Sequence, residues 1–213
     1  MEDVLSDEDF APYGGGSFIR TKDNLSEYRC GNWQIGMTSK SNAQGVRVYD
    51  LKGKSVTIKA QAGGGGAKTG LYLHNNTVKS LSRYGVEKMQ TLPYGYTRAI
   101  SSDKAISAVG NGWTAEVIIH LLNHALKDIP RDEELIVLSL YDGIATGRYC
   151  LDKMGFTNIT YHAYEIDESP IAVAMDNYPD IIQHGDAFAV RNKEWKPPQT
   201  RSEWLDELLG VGV

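Results

Sequence analysis

LIVLSLYDGIATG, residues 135–147, decides how the rest of the chain is read. Residues 135–141 are apolar and partly β-branched apart from Ser139, the pattern of a strand buried in a parallel sheet. The run ends in Asp142-Gly143-Ile144-Ala145-Thr146-Gly147, and 148–154 reads as a short helix. Strand, glycine turn and helix form a unit suited to a nucleotide. Glycine lets backbone approach a ligand closely, and free N–H groups at a helix start favour a carboxylate or phosphate. Taken alone, the glycine spacing fits an ordinary tight strand-to-helix turn equally well.

The next fifty residues favour the ligand-binding reading. A second strand is expected over 160–166 (TYHAYEI), with Glu165 near its end, about twenty residues past the turn, where an acid can accept from two ribose hydroxyls. A helix is expected over 170–178, opened by a proline at a tolerated first-turn position. A third strand over 181–184 then ends in Gly185-Asp186. Right-handed crossovers would bring Asp142, Glu165 and Asp186 to one edge of a sheet, where α/β folds bind ligands. A dinucleotide site wants G-x-G-x-x-G, whereas these glycines are four apart. Asp142 is awkward beside a phosphate and acceptable beside the sulfonium and ammonium of S-adenosyl-L-methionine. The chemistry leans towards that cofactor, with a nicotinamide-dependent oxidoreductase as the other class the residues leave open.

Length and charge bound the rest. The 213 residues suffice for one large domain or a domain with an appendage, with 41% hydrophobic content. No apolar run approaches membrane-spanning length and the N-terminus is acidic, so no membrane partner and a cytoplasmic location are expected. Cys30 and Cys150 are too few for a disulfide framework, the five histidines show no ligand spacing, and no metal is expected. The net charge is −5, yet from Arg29 to Lys104 twelve Lys and Arg face three acids. Positive charge concentrated in this way suits a phosphate-facing surface, so DNA is an expected partner; a solvated face is the plainer alternative.

Residues 1–9 are acidic and expected to fray. Gly14 to Gly16 read as loop, and 29–69 as a small irregular β region with short runs at 45–49 and 55–59. Around 108–126, Thr114 is a plausible cap, followed by Val117, Ile118, Leu121, Leu122 and Ala125 at helical spacing. Trp113, just before it, could cover a ligand or belong to the core.

Several of these stretches resemble one family. YDGIATG (141–147), AYEID (163–167) and GDAFAV (185–190) resemble the first three motifs of DNA (cytosine-5) methyltransferases, and are most similar to the animal de novo enzymes. The resemblance implies that Tyr141, Asp142, Gly143, Ile144 and Thr146 line the methionine and sulfur side of S-adenosyl-L-methionine. Glu165 would hold the ribose, Ile166 would pack on adenine, and Asp186 would accept from its amino group. The stretch 46–73 looks like the end of the target-recognition region of the bacterial enzymes, and VKSLSRYGVEKMQTLPYGYT (78–97) is similar to their ninth motif. Glu87, Gln90 and Pro93 are in place there, while Gly85 departs from the usual acid. AVGNGWTAEVIIHLL (108–122) resembles the tenth motif, which carries over Asn111, Gly112 and Trp113 as cofactor contacts.

In the family, the cofactor motifs open the chain and the ninth and tenth motifs close it; here the order is reversed. The chain reads as a circular permutation with four parts: a β-rich part of target recognition (1–77), the ninth and tenth motifs (78–126), a joint (127–134) and a cofactor-binding half (135–213). The expected fold is α/β, a partial Rossmann-like methyltransferase sheet with a small irregular β-rich N-terminal region. The family's Pro-Cys and Glu-Asn-Val motifs are absent, so no catalytic residue is assigned; cytosine-5 chemistry needs a thiolate and an acid from elsewhere. The expectation is one part of a split enzyme, inactive alone, with a second chain carrying those motifs or a further copy of itself as partner. A catalytically inactive cofactor-binding regulatory subunit is the alternative.

Overall fold

The computed structural model describes residues 1, 3–20, 31–41, 43–61, 66–197, 200 and 209. Cys30, the glycines at 63–65 and most of the apolar tail at 202–209 lie outside them. The chain forms two compact units, Met1–Trp113 and Thr114–Val213. Their boundary falls inside the 78–126 stretch.

The first unit is a six-stranded sheet with two helices. Its strands are β1 (Phe10–Pro12), β2 (Ile19–Arg20), β3 (Gln34–Met37), β4 (Arg47–Tyr49), β5 (Leu71–His74) and β6 (Thr77–Leu81), in the order β1-β6-β5-β4-β3-β2. All neighbours are antiparallel except β4 and β5. Ile35, Val48, Leu71 and Val78 form its apolar cluster. Two expectations are corrected here. Residues 55–59 form no strand, because the Tyr72 hydroxyl holds the backbone N–H of Val56 at 3.3 Å and pairs with Ser55 Oγ at 3.2 Å. The acidic N-terminus is not loose as far as Asp9: Ser6 to Asp9 are held by the buried Oδ2 of Asp9, which accepts from Lys88 Nζ, Ser6 N and Ser6 Oγ at 2.8 to 2.9 Å.

Helix α1 (Arg83–Met89) starts at Ser82, whose hydroxyl accepts from the N–H of Gly85. At Gly85, where the resemblance leads one to expect an acid, there is no room for a side chain. A Cβ there would overlap the carbonyl oxygen of Asp9, which lies against the helix and accepts from Ser82 N at 2.8 Å. The loop after α1 is held from both sides. Buried Glu87 accepts from the backbone N–H groups of Gly95 (2.7 Å) and Thr97 (2.8 Å) and from the Thr97 hydroxyl. Arg83 donates to the carbonyls of Thr97 (3.2 Å) and Ile100 (2.9 Å). This loop leads into α2 (Ser102–Asn111), a helix that the sequence pattern alone did not separate from the one capped at Thr114.

In the second unit, α3 (Ala115–Ala125) is followed by β7 (Leu135–Leu140), α4 (Thr146–Lys153), β8 (Ile159–Tyr164), α5 (Glu168–Asn177) and β9 (Ile182–Gln183). The strands are parallel in the order β7-β8-β9, each within about two residues of its expected place at the start. The fold class expected from the sequence, α/β with a Rossmann-like parallel half and an irregular β-rich N-terminal region, is the one observed. Leu122 of α3, Leu151 of α4 and Ala174 of α5 join Leu135, Val137, Tyr161 and Ala163 in one cluster, so all three helices cover the same face.

The fully buried strand expected at 135–141 is therefore corrected. Ile136, Leu138 and Leu140 point to the other face of the edge strand and stay 39–41% exposed. Strand β8 is covered on that face as well: His162 is buried and stacks on His184, and Trp195 donates to the Tyr164 hydroxyl at 2.9 Å. On α3, Leu122 packs inwards while Val117 and Leu121 are exposed.

Removing the Glu87 carboxylate strands three donors at once. Glu87→Ala is expected to destabilise the chain by about 3 kcal/mol or more, read as a lower urea midpoint. Gly85→Ala is expected to lower it too, because backbone, not a flexible side chain, would have to move.

Candidate functional site

The C-terminal ends of the three parallel strands carry the residues singled out in the sequence. After β7 the chain leaves the sheet through Tyr141 at φ +57°, passes Gly143 at +65° and enters α4 through Ala145 at +59°. Left-handed backbone at a tyrosine and an alanine is costly, and such positions persist where the surroundings hold them. No atom lies within 4 Å of a Cβ built on Gly143, so the turn is open on that side.

Asp142 is at the centre. Its Oδ1 accepts from Ser139 Oγ and Tyr161 OH, each at 2.7 Å, and its N–H donates to the Tyr164 carbonyl at 3.1 Å. Its Oδ2 is buried and has no hydrogen-bond partner among the described residues. Burial raises the carboxyl above its ordinary range; the bonds from Tyr161 and Ser139 oppose this, and the nearby Glu165 adds to it. A buried acceptor left unmade costs about 1–3 kcal/mol, so this oxygen is poised for a donor.

Glu165 braces the turn from the next strand. Its Oε2 accepts from Gly143 N at 2.9 Å, and its Oε1 from Ile166 N at 2.8 Å and Asp167 N at 3.0 Å. A carboxylate has about four acceptor positions, so Glu165 keeps capacity for a ligand hydroxyl. Asp186 follows the third strand and caps the short 3-10 helix Ala187–Arg191 by accepting from Phe188 N at 2.8 Å. Ile144 and Thr146 are buried under the turn. Tyr141 (67% exposed), Ile166 (72%) and Phe188 (52%) instead stand out as large apolar groups, each just past one of the three strand ends.

The structure thus places Asp142 next to Gly143, whose N–H is held by Glu165, with Tyr141, Ile144 and Thr146 on the same turn and Ile166 and Asp186 at the neighbouring strand ends. Asn111, Gly112 and Trp113 belong to the first unit, where Asn111 closes α2, Gly112 is its C-cap and Trp113 is exposed. Cys150 lies on α4 with its thiol buried, donating to the Ala115 carbonyl at 3.5 Å, and burial pushes it up to about 11. Such a thiol is protonated at neutral pH and faces the core. The sequence reading missed Tyr161 and Ser139, which hold Asp142. Ser139 is the one polar residue of its run and Tyr161 lies in a strand of mixed composition, and only the alternation of faces could have flagged them.

With this geometry a relative can be weighed. The chain is similar to a methyltransferase. Over 111 residues it is 30% identical to the type II methyltransferase M.HhaI of Haemophilus parahaemolyticus. The match covers 52% of this chain and 32% of that protein, so the chain spans about a third of its relative's length. No protein-family model matches the chain. Among the described residues no helix is long and apolar enough to cross a membrane.

The Tyr161 bond favours the ionised form of Asp142, so Tyr161→Phe is expected to raise the Asp142 pKa further, measured by carboxyl carbon NMR. With the folded pKa above the unfolded one, the folded state holds the extra proton, so stability falls as pH rises between the two values. Asp142→Asn should abolish that slope.

Proposed function

We propose that this chain binds S-adenosyl-L-methionine at the strand ends of its second unit and serves as the cofactor-holding part of a DNA (cytosine-5) methyltransferase completed by a second polypeptide. The observation that carries the reading is the buried, partnerless Oδ2 of Asp142 beside an open glycine turn. An ammonium is the donor that such an oxygen fits, because a charge-assisted bond satisfies the orphan and relieves the raised carboxyl. Glu165 has acceptor capacity for a ribose hydroxyl, and the exposed Ile166 and Phe188 offer apolar surface to a flat base. The free oxygen of Asp186 is suited to an exocyclic amino group.

When bound, the cofactor supplies an electrophilic methyl group. This chain's residues bind and orient it; Tyr141, Asp142, Gly143, Ile144 and Thr146 form the turn that would face its methionine end. Asn111, Gly112 and Trp113 are assigned to the same cofactor by the resemblance alone. The packing of α3 against α4 within one unit supports a permuted order in which 127–134 is the joint.

Strand β7 supports the need for a second polypeptide. Among the described residues it is a sheet edge with three partly exposed apolar side chains on one face, a combination that pairing and burial would relieve. The buried, protonated Cys150, the one cysteine among the described residues, is unsuited to attack a base.

The test uses methyl-tritiated S-adenosyl-L-methionine and unmethylated duplex DNA. The expected result is no transfer by this chain alone and transfer when a chain carrying Pro-Cys and Glu-Asn-Val is added, abolished by Leu138→Asp. Transfer by the purified chain alone would overturn the split reading. Cofactor binding without transfer in the mixture would instead establish the regulatory subunit.

A further inference from the structure

The first unit holds a cavity of 690 Å³ that belongs to no part of the cofactor site. It is built where β1 and β6 meet the starts of α1 and α2. Lys68, Arg83 and Arg98 line it together with four serine and threonine side chains, against one carboxylate, Asp103, among its lining residues. These cations are far apart in sequence and converge only in the fold.

Two of them are already held in place. Arg83 donates to the carbonyls of Thr97 and Ile100 and, through Nε and Nη2, to Ser102 Oγ at 3.3 and 3.2 Å. Lys68 Nζ donates to Ser107 Oγ at 3.0 Å. All these partners are neutral oxygens, and neither cation is in an ion pair among the described residues. Their charge is fixed in position by neutral partners. Ordering a long side chain before a ligand arrives removes part of the cost of binding. At the mouth, Tyr84 lines the cavity and stacks on Tyr94, with ring centroids 4.3 Å apart and planes at 13°. Tyr94 is 65% exposed.

Fixed cations, hydroxyl donors and an aromatic pair with one ring exposed are the elements that hold a nucleic-acid backbone. The volume far exceeds one inorganic anion, and the surrounding segment from Arg29 to Lys104 carries twelve cations against three acids. We infer that this cavity is where the phosphodiester backbone of duplex DNA docks on the first unit, with Lys68, Arg83 and Arg98 as the phosphate contacts. The inference rests on the DNA reading proposed above and adds the place and the contacts.

The test is fluorescence anisotropy of a labelled short duplex with the full chain across a range of KCl concentrations. The cavity variant is Lys68→Gln with Arg98→Gln, which spares Arg83 because it also holds the loop. The control is Lys40→Gln with Lys52→Gln, an equal charge loss elsewhere on the unit, and both are checked by melting. The cavity variant is expected to bind about tenfold more weakly at about 0.1 M salt, with a salt slope shallower by about two, and each single change by about one. The control should stay within about twofold of the unaltered chain. Should the double variant melt early, the single variants carry the comparison. DNA binding by the unaltered chain with equal losses in cavity and control variants, or with no loss in the cavity variant, would overturn the docking site and leave the DNA reading standing. No duplex binding by the unaltered chain even at low salt would overturn the DNA reading, and the docking site with it.

Discussion

A carboxylate half satisfied at the end of a strand is the constraint on which the second unit depends. Ser139 and Tyr161 fix one oxygen of Asp142 from two adjacent strands, and the other oxygen is buried without a donor. The left-handed Tyr141 and Ala145 on either side of it let the chain turn from sheet to helix in a few residues. Glu165 closes the arrangement by tying the turn to the next strand through Gly143 N. A packed core alone has no use for a strained turn, an orphan acceptor and two close carboxylates. Their coincidence at the strand ends, where parallel sheets bind ligands, is what marks the candidate site.

The first unit is organised by the opposite arrangement, a buried carboxylate with every bond made. Glu87 gathers the loop after α1, Arg83 takes the loop's carbonyls, and the same arginine turns its charge towards the cavity. One side chain therefore both holds the loop and lines the cavity. Gly85 is set by the same close packing: the backbone at Asp9 lies against α1 and leaves no room for the acid that the resemblance leads one to expect.

Much of the second unit was legible in the sequence because its signals are local. Apolar runs of strand length, a glycine turn and acids at fixed spacing placed β7, α4, β8, α5 and β9 in order. What stayed hidden depends on which faces are covered. The run at 135–140 reads as buried on both sides, yet only its Leu135 and Val137 face meets helices. Residues 55–59 have strand composition, but a tyrosine from β5 captures their backbone. Asp9 looks like part of a charged tail until Lys88, far along the chain, bonds to it. The cavity was illegible for the same reason: Lys68, Arg83 and Arg98 have no shared motif, and only the charge imbalance from Arg29 to Lys104 hinted at a phosphate-facing surface.

The central claim is that the orphan oxygen of Asp142 receives a cationic group of an adenosyl ligand. It is tested most directly by calorimetric titration of S-adenosylhomocysteine into the unaltered chain and into Asp142→Asn. Saturable binding to the unaltered chain, weakened by about 10- to 100-fold in the variant, is the predicted result, since a bond to a charged acceptor contributes about 1.5–3 kcal/mol. Equal affinity for both proteins, or no binding to the unaltered chain, would contradict it.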